Sequence, residues 1–434
     1  MYLDIIAIGG SPLLPVLGGT PAIEYAVHMR RFDSGCMLDS QLENGCLTPL
    51  QIDQFASNIA EFHRTLVPAP LASPFCQLTA VVEPAVQNFA LLERLLSEPD
   101  DRRLLETLRL ECLQEFVAGE NFFRQRAESG YVRECHGDLH LGNLVLLEGK
   151  ILPFDGIEFN AALRWIDVIS DIAFTVMDLL QHSQPQLAWH LLDGYLQHSG
   201  NYFSVSVLRY YLAYRSVVRA KVAALRASAQ STGQFSVCHR YLELAHYFLT
   251  NRRPALIITH GLPGSGKSTF AQLALERLGA LRIRSDVERK RLYGLAPLAD
   301  SGAKIYQQDA THRTYARLLE LAQLILEARF PVIVDAACLL YAERESFRAL
   351  ARELGVPFVI AHLQTELEIL EQRLKQRSKT GNDVSEADIS VMQKLSAIQE
   401  PLQADEPVVI FHNNQAGMTE LAWHSLENHI LHAT

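Results

Sequence analysis

The sequence predicts two domains of different fold class, a mixed α+β domain at residues 1–250 and an α/β domain with a parallel sheet at residues 254–434. After residue 254, apolar strand-like segments alternate with helix-like segments, as in a parallel sheet covered by helices on both faces. Before residue 250, a few short strand patterns precede long amphipathic stretches. The polar break Asn251-Arg252-Arg253-Pro254 marks the predicted boundary.

Composition indicates a globular protein with enough apolar material for large cores, because 48% of its 434 residues are hydrophobic and 20% are charged. The formal net charge of −10 does not favour nucleic acid or anionic membrane as a partner. Seven scattered cysteines form no C-x-x-C pair, which is typical of a reducing compartment without a zinc site. No charged leader precedes the apolar N-terminus, and no apolar run reaches the roughly 18 residues that span a bilayer. We therefore expect a cytoplasmic protein.

In the first half, three strands are predicted at residues 3–8, 13–17 and 24–29 from their apolar patterns. A helix is predicted at residues 50–66, because apolar residues recur at helical spacing behind the cap residue Thr48 and the first-turn Pro49. Two further amphipathic helices are predicted at residues 102–127 and 205–226.

Residues 135–144 read Cys-His-Gly-Asp-Leu-His-Leu-Gly-Asn-Leu, and a predicted hairpin follows and ends at Asp155. Phosphoryl transfer requires an acid that orients the attacking hydroxyl and oxygen ligands that hold Mg²⁺ on the phosphates. Asp138 suits the first role as a catalytic residue, and Asn143 with Asp155 suits the second as metal ligands. Two later acids, Asp167 and Asp171, lie in an apolar helix-like stretch, which favours a structural role as hydrogen-bond acceptors.

The H-G-D-x-x-x-x-N spacing of His136 to Asn143, with Asp155 beyond the hairpin, resembles the aminoglycoside phosphotransferases and choline-kinase-like enzymes. This resemblance implies a kinase-like fold whose N-terminal lobe holds ATP with a lysine on a strand. The sequence departs from that pattern, since its first lysine is Lys150 and only about 30 residues precede the expected hinge. We therefore expect an incomplete N-terminal lobe and little kinase activity in the first half.

The most specific motif lies in the second half, where a G-x-x-x-x-G-K-S sequence stands between an apolar strand pattern and a helix pattern. Backbone N–H groups of such a loop and the N-terminus of the following helix bind phosphate groups. Lys267 is expected to reach the β- and γ-phosphates of ATP as a catalytic residue, and Ser268 is expected to hold Mg²⁺. The predicted nucleotide-binding residues are Gly261, Leu262, Pro263, Gly264, Ser265, Gly266, Lys267, Ser268 and Thr269.

Two acids follow predicted strands of the second half, Asp286 at the end of 281–286 and Asp335 after 331–334. Ligands of α/β folds lie at the carboxyl ends of the strands. Asp286 is predicted to be the general base that accepts the proton of an acceptor hydroxyl, with a helix N-cap as the alternative. Asp335 is predicted to hold Mg²⁺, and the alternative role is to cap the next turn.

A helix predicted at residues 366–377 carries Arg373 and Arg377 four residues apart, so both lie on one face. This layout fits a lid whose arginines neutralise charge on the transferred phosphate, and a solvated basic face is the alternative. Arg344 is a weaker candidate for the lid or for contact with the acceptor.

These positions in the second half resemble the small P-loop kinases, a group with gluconate kinases, polynucleotide kinase domains and zeta toxins. The whole chain resembles bacterial fusions of an aminoglycoside-phosphotransferase-like domain with a P-loop kinase domain. This implies an ATP- and Mg²⁺-dependent phosphotransferase for a small hydroxylated acceptor. A P-loop ATPase or nucleotide sensor is the second reading. A polynucleotide 5′-hydroxyl kinase is the third, and it rests on the basic cluster Arg282, Arg284, Arg289, Lys290 and Arg291.

Overall fold

The computed structural model describes residues 2–230, 234–296, 299, 308–380, 387–414 and 418–432. The described chain begins with an antiparallel sheet of β1 (Tyr2–Ser11), β2 (Leu14–Leu17) and β3 (Glu24–Met29), in the order β2-β1-β3. These strands confirm the three predicted from the N-terminal sequence. Much of the apolar surface of the sheet is exposed, as at Ile5 and Leu14, whose exposed fractions are 71% and 76%. The sheet therefore contributes little to the hydrophobic core.

The rest of the first half is mainly helical, and its small strands β4 (Val132–Glu134), β5 (Leu144–Leu147), β6 (Lys150–Pro153) and β7 (Trp165–Asp167) pair as β4-β7 and β5-β6. The β5-β6 pair is the predicted hairpin. The helices are α1 (Leu38–Glu43), α2 (Pro49–Thr65), α3 (Leu78–Leu95), α4 (Pro99–Glu128), α5 (Ala161–Arg164), α6 (Val168–Gln181), α7 (Pro185–Ser199), α8 (Val205–Ala229) and α9 (Ser236–Thr250).

The N-terminus of α2 confirms the predicted cap. Thr48 Oγ1 accepts a hydrogen bond from the backbone N–H of Gln51, and the Gln51 side chain accepts one from the backbone N–H of Thr48. This reciprocal pair satisfies two N–H groups that lack partners inside the helix. The predicted helices at 102–127 and 205–226 correspond to α4 and α8, and α8 packs against α3, α4, α6 and α9.

The second half contains a five-stranded sheet in which the four strand pairs are parallel, so its predicted α/β class is confirmed. The strands are β8 (Leu256–His260), β9 (Leu281–Arg284), β10 (Val332–Asp335), β11 (Phe358–Gln364) and β12 (Val408–His412), in the order β12-β11-β8-β10-β9. The helices are α10 (Lys267–Leu278), α11 (Ser285–Leu292), α12 (Gln308–Glu327), α13 (Tyr341–Leu354), α14 (Leu367–Thr380), α15 (Ile389–Ile398) and α16 (Glu420–His432).

The strand ends differ slightly from the sequence prediction. The second strand of this half ends at Arg284, because Ser285 and Asp286 already belong to the first turn of α11. The strand predicted at 331–334 extends to Asp335. Since all five strands are parallel, the loops that follow β8, β9, β10, β11 and β12 meet at one edge of the sheet.

The two halves share one continuous apolar core instead of having separate cores. Helix α7 of the first half packs against α10 of the second, and Trp189 lies against Gly279, where an added Cβ would be 3.0 Å from the indole ring. Arg282 on β9 forms an ion pair of 2.6 Å with Asp193 on α7, and both side chains are buried. The boundary at residues 251–254 stays a prediction, but the contacts show that neither half packs independently of the other.

Candidate functional site

The loop after β8 has the backbone geometry that its glycines allow. Gly264 and Gly266 have φ angles of 85° and 93°, in the left-handed region that side chains rarely adopt. Gly266 is also the N-cap of α10, and a Cβ there would lie 2.0 Å from Nδ2 of Asn413. Both the φ angle and the close approach therefore require glycine at position 266.

Side chains from distant strands hold this loop in place. Asn413 Nδ2 and Thr365 Oγ1 donate hydrogen bonds to the carbonyl of Ser265, at 2.8 Å and 3.2 Å. Neither residue was predicted from the sequence. The sequence nevertheless offered a signal for both residues, because each directly follows a strand of the sheet, Thr365 after β11 and Asn413 after β12. Polar residues in those positions lie at the ligand-binding edge of a parallel sheet.

Lys267 and Ser268 open helix α10 and line a cavity of about 1340 Å³ at this edge. Lys267 Nζ donates to the carbonyl of Leu262 at 2.9 Å, which keeps the ammonium group over the loop. The cavity exceeds the 300–1,000 Å³ that is usual for one ligand of drug size. It therefore has room for a nucleotide together with a second molecule.

Asp286 lies in the same cavity, in the first turn of α11. Its carboxylate is 3.3 Å from the guanidinium of Arg289, one helical turn later. The N-cap of α11 is Arg284, so the alternative reading of Asp286 as the N-cap is wrong. A carboxylate in the first turn of a helix interacts favourably with the helix dipole.

Asp335 ends β10 and also lines the cavity. It is buried, and its Oδ2 atom accepts no hydrogen bond from the described residues, although Arg284 Nε lies 3.4 Å away. A buried carboxylate oxygen without a hydrogen bond is costly unless a cation or water completes its surroundings. The carboxylate of Asp335 and the hydroxyl of Ser268 are oxygen ligands of the kind that Mg²⁺ prefers. These residues therefore fit a magnesium site.

Of the two predicted lid arginines, the structure describes the side chain of Arg373 but not that of Arg377. Arg373 lines the cavity, and its guanidinium donates to the carbonyls of Gly264, Asn413 and Asn414 at 3.2 Å, 2.9 Å and 3.2 Å. This residue thus ties α14 to the phosphate-binding loop. Arg377 belongs to α14, but its side chain lies outside the described residues. The role of both arginines in charge neutralisation stays a prediction.

Arg344 is a structural residue, so the prediction of a contact with the acceptor is wrong. It is fully buried and makes a two-pronged hydrogen bond with the carboxylate of Glu406, at 2.6 Å and 3.1 Å. It also donates to the carbonyls of Leu339 and Pro401. These hydrogen bonds anchor the loops around α13.

The basic cluster at residues 282–291 is neither a free patch nor a solvated helix face. Lys290 is 1% exposed. The four arginines form ion pairs, namely Arg282 with Asp193, Arg284 with Asp335, Arg289 with Asp286 and Arg291 with Glu288. Cations paired with buried or half-buried carboxylates are poor partners for a polyanion, because phosphate contacts would have to displace those carboxylates.

His260 was not singled out by the sequence, yet it immediately precedes the phosphate-binding loop. Its Nδ1 atom is 2.8 Å from Nδ1 of His362 on the neighbouring strand, and its side chain is buried. Burial, with a smaller contribution from the charge of His362, lowers the pKa of His260 to about 3. The imidazole is therefore neutral at physiological pH.

In the first half, Asp138 and Asn143 are brought together as the sequence predicted. Asn143 Nδ2 donates to Oδ2 of Asp138 at 2.9 Å. Burial raises the pKa of Asp138, but its hydrogen bond with His140 and the charges of His140, Arg215 and Arg219 outweigh that effect, so the pKa lies below its ordinary value. The carboxylate is therefore charged at neutral pH.

Asp155 lies close to Asn143 in the fold, because the backbone N–H of Phe154 donates to the carbonyl of Asn143 at 3.0 Å. Its own backbone has a φ angle of 57°, and its side chain is exposed. The proposed metal-binding role of Asn143 and Asp155 stays a prediction.

The two later acids have the predicted structural roles. Asp171 is fully buried and accepts hydrogen bonds from the backbone N–H groups of His136 and Gly137, at 3.2 Å and 2.9 Å. Its other contact is the ring of His63, at 3.2 Å. Asp167 is the N-cap of α6 and accepts from the N–H of Ile169. Asp171 thus braces the loop that carries Asp138.

The two predicted sites are separate. The described residues that line the cavity all fall between Pro263 and Asn413, so Asp138, Asn143 and Asp155 lie outside it. Helix α7 and the Asp193–Arg282 pair connect the halves, and Arg282 also approaches the carbonyl of Ser268 at 3.5 Å.

Comparison with known protein families matches residues 256–402 to an AAA domain. The matched range begins at β8 and includes the phosphate-binding loop, Asp286, Asp335 and Arg373. Together with the parallel sheet, the match supports a P-loop domain over residues 256–402. The resemblance of the first half to aminoglycoside phosphotransferases stays a prediction.

Among curated proteins, the chain is similar to an uncharacterised protein of Mycobacterium tuberculosis, strain H37Rv, with 29% identity over 369 residues. The match covers 83% of this chain and 74% of the relative. An uncharacterised protein of Mycobacterium bovis matches with the same figures.

Two solved structures have weaker similarity to part of the chain. A gluconokinase from Sinorhizobium meliloti matches with 22% identity and a TM-score of 0.30, over 41% of this chain and 93% of that one. The APS kinase of Mycobacterium tuberculosis, in complex with AMPPNP and APS, matches with 21% identity and a TM-score of 0.29, over 40% and 96%.

Two further observations concern membrane-spanning helices and the state of the cysteines. In the described part of the chain, no helix combines the length and the apolar character needed to cross a membrane. All seven cysteines are free thiols. The predicted cytoplasmic location stays an expectation.

Proposed function

We propose that this chain is an ATP- and Mg²⁺-dependent phosphotransferase that acts on a small hydroxylated acceptor, with the chemistry in its second half. The observation that carries the proposal is one cavity lined by the phosphate-binding loop, by Asp286 and by Asp335. Phosphoryl transfer needs a phosphate cradle, an acid for the metal and an acid for the attacking hydroxyl, and this cavity offers all three.

On the nucleotide side, the N–H groups of residues 261–269 and the N-terminus of α10 would bind the β- and γ-phosphates, with Lys267 beside them. Ser268 and Asp335 would hold Mg²⁺, which when bound neutralises phosphate oxygens. Arg373 would supply further positive charge, and Arg377 is proposed for the same role. Asn413 and Thr365 keep the loop in its binding conformation through the carbonyl of Ser265.

On the acceptor side, Asp286 would accept the proton of the hydroxyl as its oxygen attacks the γ-phosphorus. Arg289 holds the Asp286 carboxylate from the next helical turn. Such a contact between opposite charges orients the carboxylate. We infer that this pair fixes where the hydroxyl binds.

The alternative activity is ATP hydrolysis or nucleotide sensing, with the first half as a ligand-binding domain. Two observations favour this alternative, namely the shared core and the buried Asp193–Arg282 pair. Through these contacts, a ligand bound to the first half could affect the P-loop domain. The basic cluster does not favour a polynucleotide kinase, because its arginines are paired with carboxylates.

The full chain with γ-labelled ATP and a panel of alcohols, sugars, nucleosides and amino alcohols tests the proposal. We expect label on an acceptor, and we expect Asp286→Asn to lower the rate of transfer by about a hundredfold or more, the scale of general-base catalysis. Affinity for MgATP should change little, because Asp286 is assigned to the acceptor.

Asp405→Asn is a matched control, because Asp405 is an exposed acid of the same half that does not line this cavity. This variant should transfer phosphate at the wild-type rate. Free phosphate as the sole labelled product with every acceptor would support the ATPase instead. An unchanged rate in Asp286→Asn would remove the base assignment.

A further inference from the structure

The charged residues that line the cavity include more cations than acids. Among the described residues, the cations are Lys267, Arg284, Arg289, Arg373 and Lys394, and the acids are Asp286, Asp335 and Glu343. The whole chain has the opposite balance, with a formal net charge of −10. A group of cations that lines a cavity in an acidic protein attracts anionic ligands to that cavity.

Ion pairs within the cavity neutralise two of these cations. Arg284 Nε lies 3.4 Å from the carboxylate of Asp335. Arg289 lies 3.3 Å from the carboxylate of Asp286, through one of its guanidinium nitrogens. These two arginines therefore add little net charge for a ligand to meet.

The third acid of the cavity does not balance the cations that remain. The carboxylate of Glu343 accepts a hydrogen bond from the backbone N–H of Leu340, at 3.2 Å. Burial raises the pKa of Glu343, which favours the neutral form of this acid. Net positive charge therefore remains at Lys267, Arg373 and Lys394.

Two of these three cations lie at the phosphate-binding loop. Lys267 Nζ donates to the carbonyl of Leu262 at 2.9 Å, and Arg373 donates to the carbonyl of Gly264 at 3.2 Å. Both are therefore placed for the phosphates of the nucleotide. Lys394 belongs to a different element, helix α15, where its side chain is exposed and forms no ion pair with the part of the chain that the structure describes.

The acid whose charge interacts with Lys394 has other partners. Asp388 is the N-cap of α15, and its carboxylate accepts hydrogen bonds from the N–H of Val391 and the hydroxyl of Ser390, at 2.8 Å and 2.9 Å. These two bonds lower the pKa of Asp388 more than the charge of Lys394 does. The ammonium group of Lys394 thus keeps most of its capacity to bind an anion.

Lys394 lies on the face of α15 that lines the cavity. Val391, Lys394, Leu395 and Ile398 all line it, and their spacing i, i+3, i+4 and i+7 places them on one face of the helix. Apolar side chains beside a cation exclude water, and a charge interacts more strongly with an opposite charge where less water screens it. His312 of α12 also lines the cavity and offers a ring N–H as a second donor.

We propose that the acceptor is an alcohol with an anionic group, a carboxylate or a phosphate, and that Lys394 binds this group while the hydroxyl lies at Asp286. The inference rests on the proposed function. In the transfer, the bond between the γ-phosphorus and the β,γ-bridging oxygen breaks, and a bond from the acceptor oxygen to that phosphorus forms. The hydroxyl proton goes to the Asp286 carboxylate, and ADP leaves with the bridging oxygen.

Equilibrium binding of three matched probes to the full chain, with saturating MgADP, tests this inference without requiring turnover. The probes are 1,4-butanediol, 4-hydroxybutanoate and 4-hydroxybutyl phosphate, which share a hydroxyl and differ in the charge at the other end. We expect at least one of the two anions to bind about tenfold or more tightly than the diol, the scale of one charge-assisted hydrogen bond. Whichever anion binds more tightly identifies the group.

Lys394→Gln should abolish the preference for the anion and leave the affinities for the diol and for MgADP unchanged. Lys394→Arg should retain the preference, because it keeps the positive charge. Lys375→Gln is the matched control, since Lys375 is an exposed lysine of the neighbouring helix α14 that does not line the cavity. This control should bind all three probes like the wild type.

Equal binding of the diol and both anions would overturn the inference, as would a preference for anions that survives in Lys394→Gln. A loss of MgADP affinity in Lys394→Gln would also overturn it, because Lys394 would then belong to the nucleotide site. Binding as expected without any label transfer would support the acceptor class and count against the phosphotransferase proposal alone. Label transfer to neutral alcohols with no preference for anions would count against this inference alone.

Discussion

Asp193 connects the two halves of the chain, and its substitution tests whether they are one folding unit. The Asp193 carboxylate lies 2.6 Å and 3.4 Å from two guanidinium nitrogens of Arg282, and the exposed fractions of the two side chains are 4% and 8%. Asp193→Asn removes the negative charge and leaves a buried guanidinium behind. Breaking a buried pair by removing one partner is far more costly than losing a surface pair.

We expect Asp193→Asn to lower the free energy of unfolding by about 3 kcal/mol, near the lower end of the range for broken buried pairs. The lower end applies because the carboxylate of Asp335 also stabilises the charge on Arg282. Arg282 further approaches the carbonyl of Ser268, at 3.5 Å, so we expect weaker binding of MgATP as well.

Urea unfolding followed by circular dichroism measures the loss, and calorimetric titration measures MgATP affinity. Glu420→Gln is the control, because it removes an exposed pair with Arg277 and should leave the unfolding midpoint unchanged. The double variant Asp193→Leu with Arg282→Met should regain much of the lost stability, since apolar residues can replace a buried pair. A loss below about 1 kcal/mol in Asp193→Asn would refute the reasoning that this pair joins the halves.

Three further outcomes are expected. Lys267→Ala should weaken ATP binding by about tenfold or more in calorimetry, because it removes charge-assisted bonds to phosphate, and wild-type affinity would contradict the loop assignment. Asp138→Ala should leave the rate of ATP consumption by the full chain unchanged. A large fall in that rate would indicate that the chemistry takes place in the first half. The free energy of unfolding should fall as the pH drops from 6.5 toward 3, because His260 takes up a proton in the unfolded state but not in the folded state. The expected loss of stability at pH 5 is about 2 kcal/mol. In unfolding measured at several pH values, His260→Gln should reduce this loss of stability at acidic pH. An unchanged loss would exclude His260 as its cause.

The sequence by itself determined the phosphate-binding loop and the class of the second half. The motif at residues 261–268 is contiguous, and its glycines, lysine and serine act through local backbone geometry, so no distant residue is needed to recognise it. The acids Asp286 and Asp335 were found for a related reason, because an apolar run followed by an acid marks a strand end. The cap at Thr48 was likewise readable from adjacent residues.

Only the tertiary structure decided which distant side chains meet. Asn413 and Thr365 support Ser265 from 148 and 100 residues away, and Asp193 pairs with Arg282 across 89 residues. Arg344 and the arginines of the basic cluster look like free cations in the sequence, but the fold pairs them with carboxylates. Contacts of this kind depend on which strands and helices become neighbours, and that is set by packing of the whole core and not by local pattern.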